Sequence, residues 1–377
     1  MSKVAPFHCR QGISAGQGGA IVLLVSTNLS LVYHYLGSAV AGIYLLCYLG
    51  LILWVWRWSL PERVERILLA TVVVASVLVQ IFAVHRVAPL FDARMDRDDA
   101  LSCWLAALRR GDYPYAEPTS GHNPISVFPF LPIMAWPFDL MGNVGYLPVF
   151  SYLVLVILLW ATYRHARLFR FFTICVLSSA PLLLFEVSGR SDVIANMLLF
   201  VLVIHWLERH EGRPWGWEAY VFGALFGCLV ATRLGLLPAI GVVALYLLHN
   251  LPFRTAVQMG IAALAAFSLL VVPFIVWDPA TFFHYAPMGV SSTKLGDSTT
   301  AQVGWSVATL LVALASGLVV RRARHLYAAL VPTLALITVA TWLTFFRDWT
   351  YLQFIFVPLL FALPRSEPQE HQQGAER

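Results

Sequence analysis

The sequence predicts an all-α polytopic membrane protein with about eleven to twelve transmembrane helices. Of its 377 residues, 59% are hydrophobic and only 12% charged, about half the ~25% charged share of a soluble domain. Apolar runs of ~16–21 residues, a length that crosses a bilayer, recur along the chain. The polar residues are confined to a few islands between those runs. The formal charge of +5 does not point to nucleic acid, because the basic residues sit in short interhelical loops and form no contiguous patch.

The runs fall at about 20–36, 39–56, 67–86, 146–163, 171–187, 193–207, 218–233, 236–250, 258–277, 304–320, 326–345 and 351–364. The first pair is one long stretch interrupted by Asn28, Ser30, His34 and Gly37, readable as a tight hairpin or as one long helix. A signal peptide is the alternative there. Lys3 and Arg10 precede the stretch, and Gly37-Ser38-Ala39-Val40-Ala41 resembles a cleavage site. That would remove one span and leave the outer loops unchanged. Residues 1–364 read as a single integral membrane domain, without the inverted repeat that many transporters carry. The tail 365–377, with three Glu and three Gln, reads as disordered and cytoplasmic.

Orientation follows from Lys and Arg in the short loops. Arg57, Arg63, Arg66, Arg164, Arg167, Arg170, Arg209, Arg213, Arg254, Arg321, Arg322 and Arg324 fall in five alternate loops, whereas the opposite set holds Arg190, Arg233 and Arg347. The first set is assigned to the cytoplasm. Both termini are then inside, and the long loops 87–145 and 278–303 are outside. The five cysteines show no CxxC spacing, so no zinc site or disulfide framework is visible.

The first outer loop carries the unusual chemistry. Asp92, Asp96, Asp98 and Asp99 fall within eight residues. Like charges this close raise one another's pKa, a cost that a basic or hydroxyl-bearing ligand explains. Leu101, Trp104, Leu105 and Leu108 then repeat at i, i+3, i+4, i+7, which predicts an amphipathic helix lying on the outer membrane surface. Asp98 or Asp99 caps its start and Gly111 ends it; capping alone is the bland role for either aspartate. The segment 124–142 is broken by prolines at 124, 129, 132 and 137, so a short re-entrant or interfacial helix is expected.

Asp98-Asp99-Ala100, a helix ending in Gly111, then Tyr113-Pro114-Tyr115 and a proline-broken apolar segment resemble the first outer loop of GT-C glycosyltransferases. The closest likeness is to small bacterial polyprenol-phosphate-mannose enzymes. Gly189-Arg190-Ser191-Asp192 followed by Asn196, and Arg233 late in the next span, add to the resemblance, which covers residues 67–250. Two departures stand out: two apolar spans precede the loop where one is usual, and Arg233 is followed by Leu-Gly, not aromatic-Pro. The resemblance implies an inverting transfer of mannose or another hexose or pentose from a polyprenyl-phosphate donor to a glycan or lipid acceptor, at the extracytoplasmic face of the plasma (inner) membrane. Asp98 is then the general base, with Asp99 and Asp96 beside it. Arg233, Arg190, Arg347 and Lys294 are candidates for the lipid phosphate, whose charge grows as it leaves; snorkelling is the bland role for each span-end arginine. Arg190 beside Asp192 also reads as a simple pair. Tyr115, Asp192, His122 and His284 are candidate substrate contacts, His122 being otherwise a solvated loop histidine. Magnesium or manganese fits an aspartate cluster, but no sequence feature demands a metal.

A transporter or flippase of lipid-linked saccharide is the alternative, and a non-enzymatic scaffold a third. Transporters place ionisable groups at mid-span among broken helices. Here they gather at outer span ends and loops, with His34, Glu186 and His205 as the main exceptions.

Overall fold

A computed structural model describes residues 15–57, 61–87, 97–119, 122–163, 167–288, 299–341 and 353–362. These residues form helices and turns, with no strand among them. In chain order the helices are α1 (Ala15–Arg57), α2 (Glu62–Phe82), α3 (Arg97–Arg110), α4 (Phe130–Leu140), α5 (Tyr146–Thr162), α6 (Arg167–Ser178) and α7 (Pro181–Ser188). Then follow α8 (Val193–His210), α9 (Glu218–Val230), α10 (Leu237–Asn250), α11 (Phe253–Trp277), α12 (Thr299–Val319), α13 (Leu326–Thr341) and α14 (Gln353–Ala362).

Among the described residues five helices are long and apolar enough to cross a membrane: Glu62–Arg86, Val193–His210, Phe253–Trp277, Gln302–Val319 and Ala323–Ala340. A sixth arises if the bent pair Glu218–Val230 and Leu234–Asn250 counts as one span. The count is lower than the number of apolar runs because several runs are interrupted. The first stretch holds two helical pieces that meet at Gly37, whose φ of 85° and ψ of 173° suit only glycine. The run at 171–187 is split into α6 and α7 by Ser179-Ala180. The runs at 218–233 and 236–250 meet at a 118° bend.

An interruption inside hydrocarbon leaves backbone groups that must find protein partners. At the α6–α7 break they do. The Ser76 hydroxyl of α2 donates to the Ser178 carbonyl (3.3 Å), Tyr152 of α5 bonds the Ser178 hydroxyl (2.6 Å), and the Leu182 N–H donates to Asn28 Oδ1 of α1 (3.1 Å). Pro181, first in α7, has no N–H to satisfy. Three helices thus fix the height of α7 and of the turn that follows it.

The helices run between two ends. At one, Glu65 pairs with Arg170 (2.8 Å, both buried), and Arg170 lies over Trp160 at 4.4 Å. At the same end Arg321 meets His249, Asn250 donates to the Val320 carbonyl (3.1 Å), and His210 approaches Glu218 (3.5 Å). These residues belong to or adjoin the five arginine-rich loops. The other end joins 123–130, 189–192, 231–233 and 274–278. The described members of the two loop sets of the charge count therefore lie at opposite ends of the bundle.

The closest helix contact runs along α9 and α11. A Cβ on Gly223 would collide with the Met259 carbonyl and one on Gly227 with that of Ala263. This is a small-xxx-small contact, which in lipid gains stability from close backbone approach. The sequence reading passed over it, although Gly223-Ala224-Leu225-Phe226-Gly227 spells the motif. Gly227→Val should separate the two helices and cost about 1–3 kcal/mol, the usual range for an overpacked contact. Thermal unfolding of the purified protein in detergent checks this; an unchanged midpoint would show that the contact carries no stability.

Candidate functional site

Three pieces of chain meet at the end opposite the arginine-rich loops. The first is the turn from α7 to α8. The Ser191 N–H donates to the Glu186 carbonyl (2.8 Å) and the Arg190 N–H to the Val187 carbonyl (3.1 Å). That is a Schellman cap, whose left-handed position is usually glycine. Here Arg190 occupies it with φ 46°. Its guanidinium donates to the Val84 carbonyl at 3.4 Å, and its stem lies where a Cβ on Gly145 would stand. Asp192 follows at the cap position of α8.

The second piece is the bend between α9 and α10. Arg233 is extended there (φ −148°, ψ 132°), just before a short 3-10 turn, Leu234–Leu236. Its Nε and Nη2 donate to Asp192 Oδ2 and Oδ1 at 2.6 and 2.5 Å, a bidentate pair. Asn196, one turn along α8, donates its side-chain amide to Asp192 Oδ2 (2.9 Å) and to the Asp192 carbonyl (3.0 Å). The Asp192 side chain is 3% exposed and that of Arg233 17%. The bidentate partner of Asp192 is thus the distant Arg233, where sequence proximity suggested Arg190.

The third piece is the first outer loop. Phe128 and Phe130 donate their N–H groups to the Thr232 (2.8 Å) and Ala231 (3.1 Å) carbonyls, satisfying the α9 end beside Arg233. Helix α3 starts at Arg97, so Asp98 and Asp99 lie in its first turn rather than at its cap, where carboxylates still complement the helix dipole. Asp99 is half-buried. Gly111 ends the helix at φ 78°, with the Asp112 N–H donating to the Ala107 carbonyl (3.0 Å). The apolar face Leu101, Trp104 and Leu105 is buried as the spacing predicts. It meets protein rather than lipid: Trp104 packs on Phe274 at 5.1 Å and on Tyr115 at 6.3 Å. Arg109 pairs with Asp139 of α4 (2.9 Å). The cluster that seats α3 extends to Ala195 and Ala231, so it reaches both helices of the Asp192–Arg233 pair.

The Tyr113 hydroxyl donates to the Phe274 and Asp278 carbonyls (3.0 and 3.2 Å), closing the end of α11. Burial, aided by the Asp278 charge, pushes the Tyr113 phenol up. The Asp278 carboxyl is held below its ordinary value, first by the Thr281 hydroxyl and then by the Thr281 N–H. The pair lies below this tip. Gly227 and Ala263 are abreast; Arg233 is six residues beyond the one and Trp277 fourteen beyond the other. Three helical residues to Val230 rise about 4.5 Å and the three that follow add at most about 10 Å, against about 21 Å from Ala263 to Trp277, so the Arg233 backbone stays roughly 6 Å or more short of the tip.

Other candidates fall elsewhere. Tyr115 is fully buried, its hydroxyl donating to the Val127 carbonyl (3.0 Å). His122 is exposed in a turn with φ 60°, and His284 is exposed in the turn Thr281–Tyr285. Asp96, Lys294 and Arg347 lie outside the described residues, as does the side chain of Asp98. Among the described residues no three of His, Cys, Asp and Glu converge as a metal site. Sequence reasoning left out Asp139 and named Asn196 only within the resemblance, without a role; the i, i+4 spacing of Asp192 and Asn196 fits the bond between them.

A left-handed arginine costs roughly 1–2 kcal/mol that glycine would not. Arg190→Gly should therefore hold or raise the unfolding midpoint while impairing activity, if the guanidinium serves a ligand. A lower midpoint with unchanged activity would make Arg190 a structural anchor. These roles rest on geometry, because no family model, curated protein or solved structure matches the chain.

Proposed function

We propose that the chain is an integral membrane glycosyltransferase. It moves a hexose or pentose from a polyprenyl-phosphate donor to a glycan or lipid acceptor at the extracytoplasmic face. One observation carries the reading: an aspartate-bearing helix start, α3, and a recessed, half-buried arginine, Arg233, are seated on one cluster at the same end of the bundle. A lipid phosphate needs the cation; an acceptor hydroxyl needs a carboxylate to take its proton as it attacks the anomeric carbon. Asp98 is the base on this reading, with Asp99 and Asp96 supporting it. The five long apolar helices, the bent pair and the short apolar helices Leu36–Leu51, Phe130–Leu140 and Tyr146–Thr162 are compatible with a GT-C-like helical bundle.

The broken helices favour a second reading, a flippase or transporter of lipid-linked saccharide, because discontinuous spans often frame a transport site. Against it, the α6–α7 break is closed by neutral hydrogen bonds. The Asp192–Arg233 pair lies at a span end.

Purified protein in lipid, given radiolabelled polyprenyl-phosphate sugars and candidate acceptors, should transfer one of the sugars. Asp98→Asn keeps shape and removes the base, so transfer should fall about 10²–10⁴-fold; Asp99→Asn should cost less. Full activity in both variants would leave the flippase as the better reading, and a vesicle flipping assay would then show activity. Orientation has its own check. In a cysteine-free background, His122→Cys and His284→Cys should react with an impermeant maleimide from outside, and Arg213→Cys and Arg322→Cys only after permeabilisation. The reverse pattern would sink the extracytoplasmic site.

A further inference from the structure

We propose that Asp192 is a resident counter-anion, and that the Asp192–Arg233 pair is an exchange latch which the phosphate of a lipid headgroup opens. The inference rests on Arg233 as the phosphate-binding residue and adds what holds that residue before the lipid arrives.

The two partners are anchored unequally. Asp192 is almost wholly buried, accepts from the Asn196 amide and sits at the N-terminal end of an eighteen-residue helix. A carboxylate there is stabilised by the helix end whether or not an arginine is present. Arg233 lies on an extended residue between two helices and is the more exposed partner. When Arg233 turns to a ligand anion, Asp192 keeps the Asn196 amide and the N-terminal end of its helix, and the guanidinium passes from one anion to another. Phosphate offers a guanidinium the same two-pronged geometry as carboxylate. The exchange swaps one charge-assisted pair for another, and so costs less than breaking a pair outright. Asp192 is then a positioning residue: it keeps Arg233 extended and ready in the recess and competes with the ligand for it.

The test uses dodecyl phosphate as probe and the full-length protein in detergent. Asp192→Asn keeps the Asn196 contact but removes the competing charge. It should bind dodecyl phosphate about 10-fold or more tighter than wild type, the ratio expected for one charge-assisted hydrogen bond. Arg233→Gln should lose binding by a similar factor. Equal or weaker binding by a folded Asp192→Asn protein overturns the latch while leaving Arg233 as the phosphate residue. No binding by wild type overturns both the latch and that role. Inorganic phosphate is the second arm: a clear preference for dodecyl phosphate supports the lipid headgroup as the ligand, and equal affinity overturns it in favour of free phosphate. Should Asp192→Asn not fold, wild-type protein carrying ¹³C-aspartate gives a reading by infrared difference spectroscopy. Dodecyl phosphate should shift an aspartate carboxylate stretch as the bidentate pair opens, and binding without any such shift overturns the latch.

Discussion

Hydrocarbon cannot satisfy a peptide group, and this molecule interrupts its helices several times within the apolar bundle. The rest of the structure depends on how those interruptions are closed. Each unsatisfied N–H or carbonyl would cost several kcal/mol, so every break has to be met by another part of the chain. At the α6–α7 break the partners are neutral side chains from α1, α2 and α5. At the α9–α10 bend they are the backbone N–H groups of Phe128 and Phe130, from a loop about one hundred residues earlier in sequence. The second solution does more than fill hydrogen bonds. It ties the loop that carries the aspartates to the bend that carries Arg233.

The proline-broken segment thereby gains a physical role. Pro124 and Pro129 keep 124–129 from becoming helix, so its N–H groups stay available for the carbonyls of Ala231 and Thr232. A regular helix there would have consumed them internally. The irregular backbone expected of the proline-broken segment is accordingly packed against protein, one of the two settings, with a water-filled cavity, in which hydrocarbon tolerates it.

Features written in short-range sequence were legible. The apolar face of α3 follows from its i, i+3, i+4 spacing, and its end from Gly111. The two sets of loops followed from arginine counting alone, and contacts such as Glu65–Arg170 and Arg321–His249 join loops of one set. Long-range pairing was not legible. Arg190 and Asp192 are two residues apart, yet the left-handed turn at Arg190 carries its guanidinium to Val84, and Asp192 takes Arg233 from 41 residues away. Tyr115 entered as a candidate substrate contact through the resemblance of Tyr113-Pro114-Tyr115. Its hydroxyl serves Val127 instead, and its ring fills the core beneath α3. The span count suffered from the same limit. A hydropathy run records composition, and Gly37 and Ser179-Ala180 break the helix without breaking the run.

The depth of Arg233 constrains what can reach it. By the register of Gly227 with Ala263, the Arg233 backbone stays roughly 6 Å or more short of the α11 tip. At the same end of the bundle Tyr113, Trp104, Phe274 and Phe282 pack around Tyr115. On the proposed reading, a phosphate tethered to a long isoprenoid keeps its tail in lipid and approaches Arg233 from the side. Desolvation of the phosphate is then met by an arginine that has itself been kept desolvated and paired. The same burial that makes an isolated arginine expensive at this position makes its charge effective once a phosphate replaces the carboxylate, because the local dielectric is low for both partners.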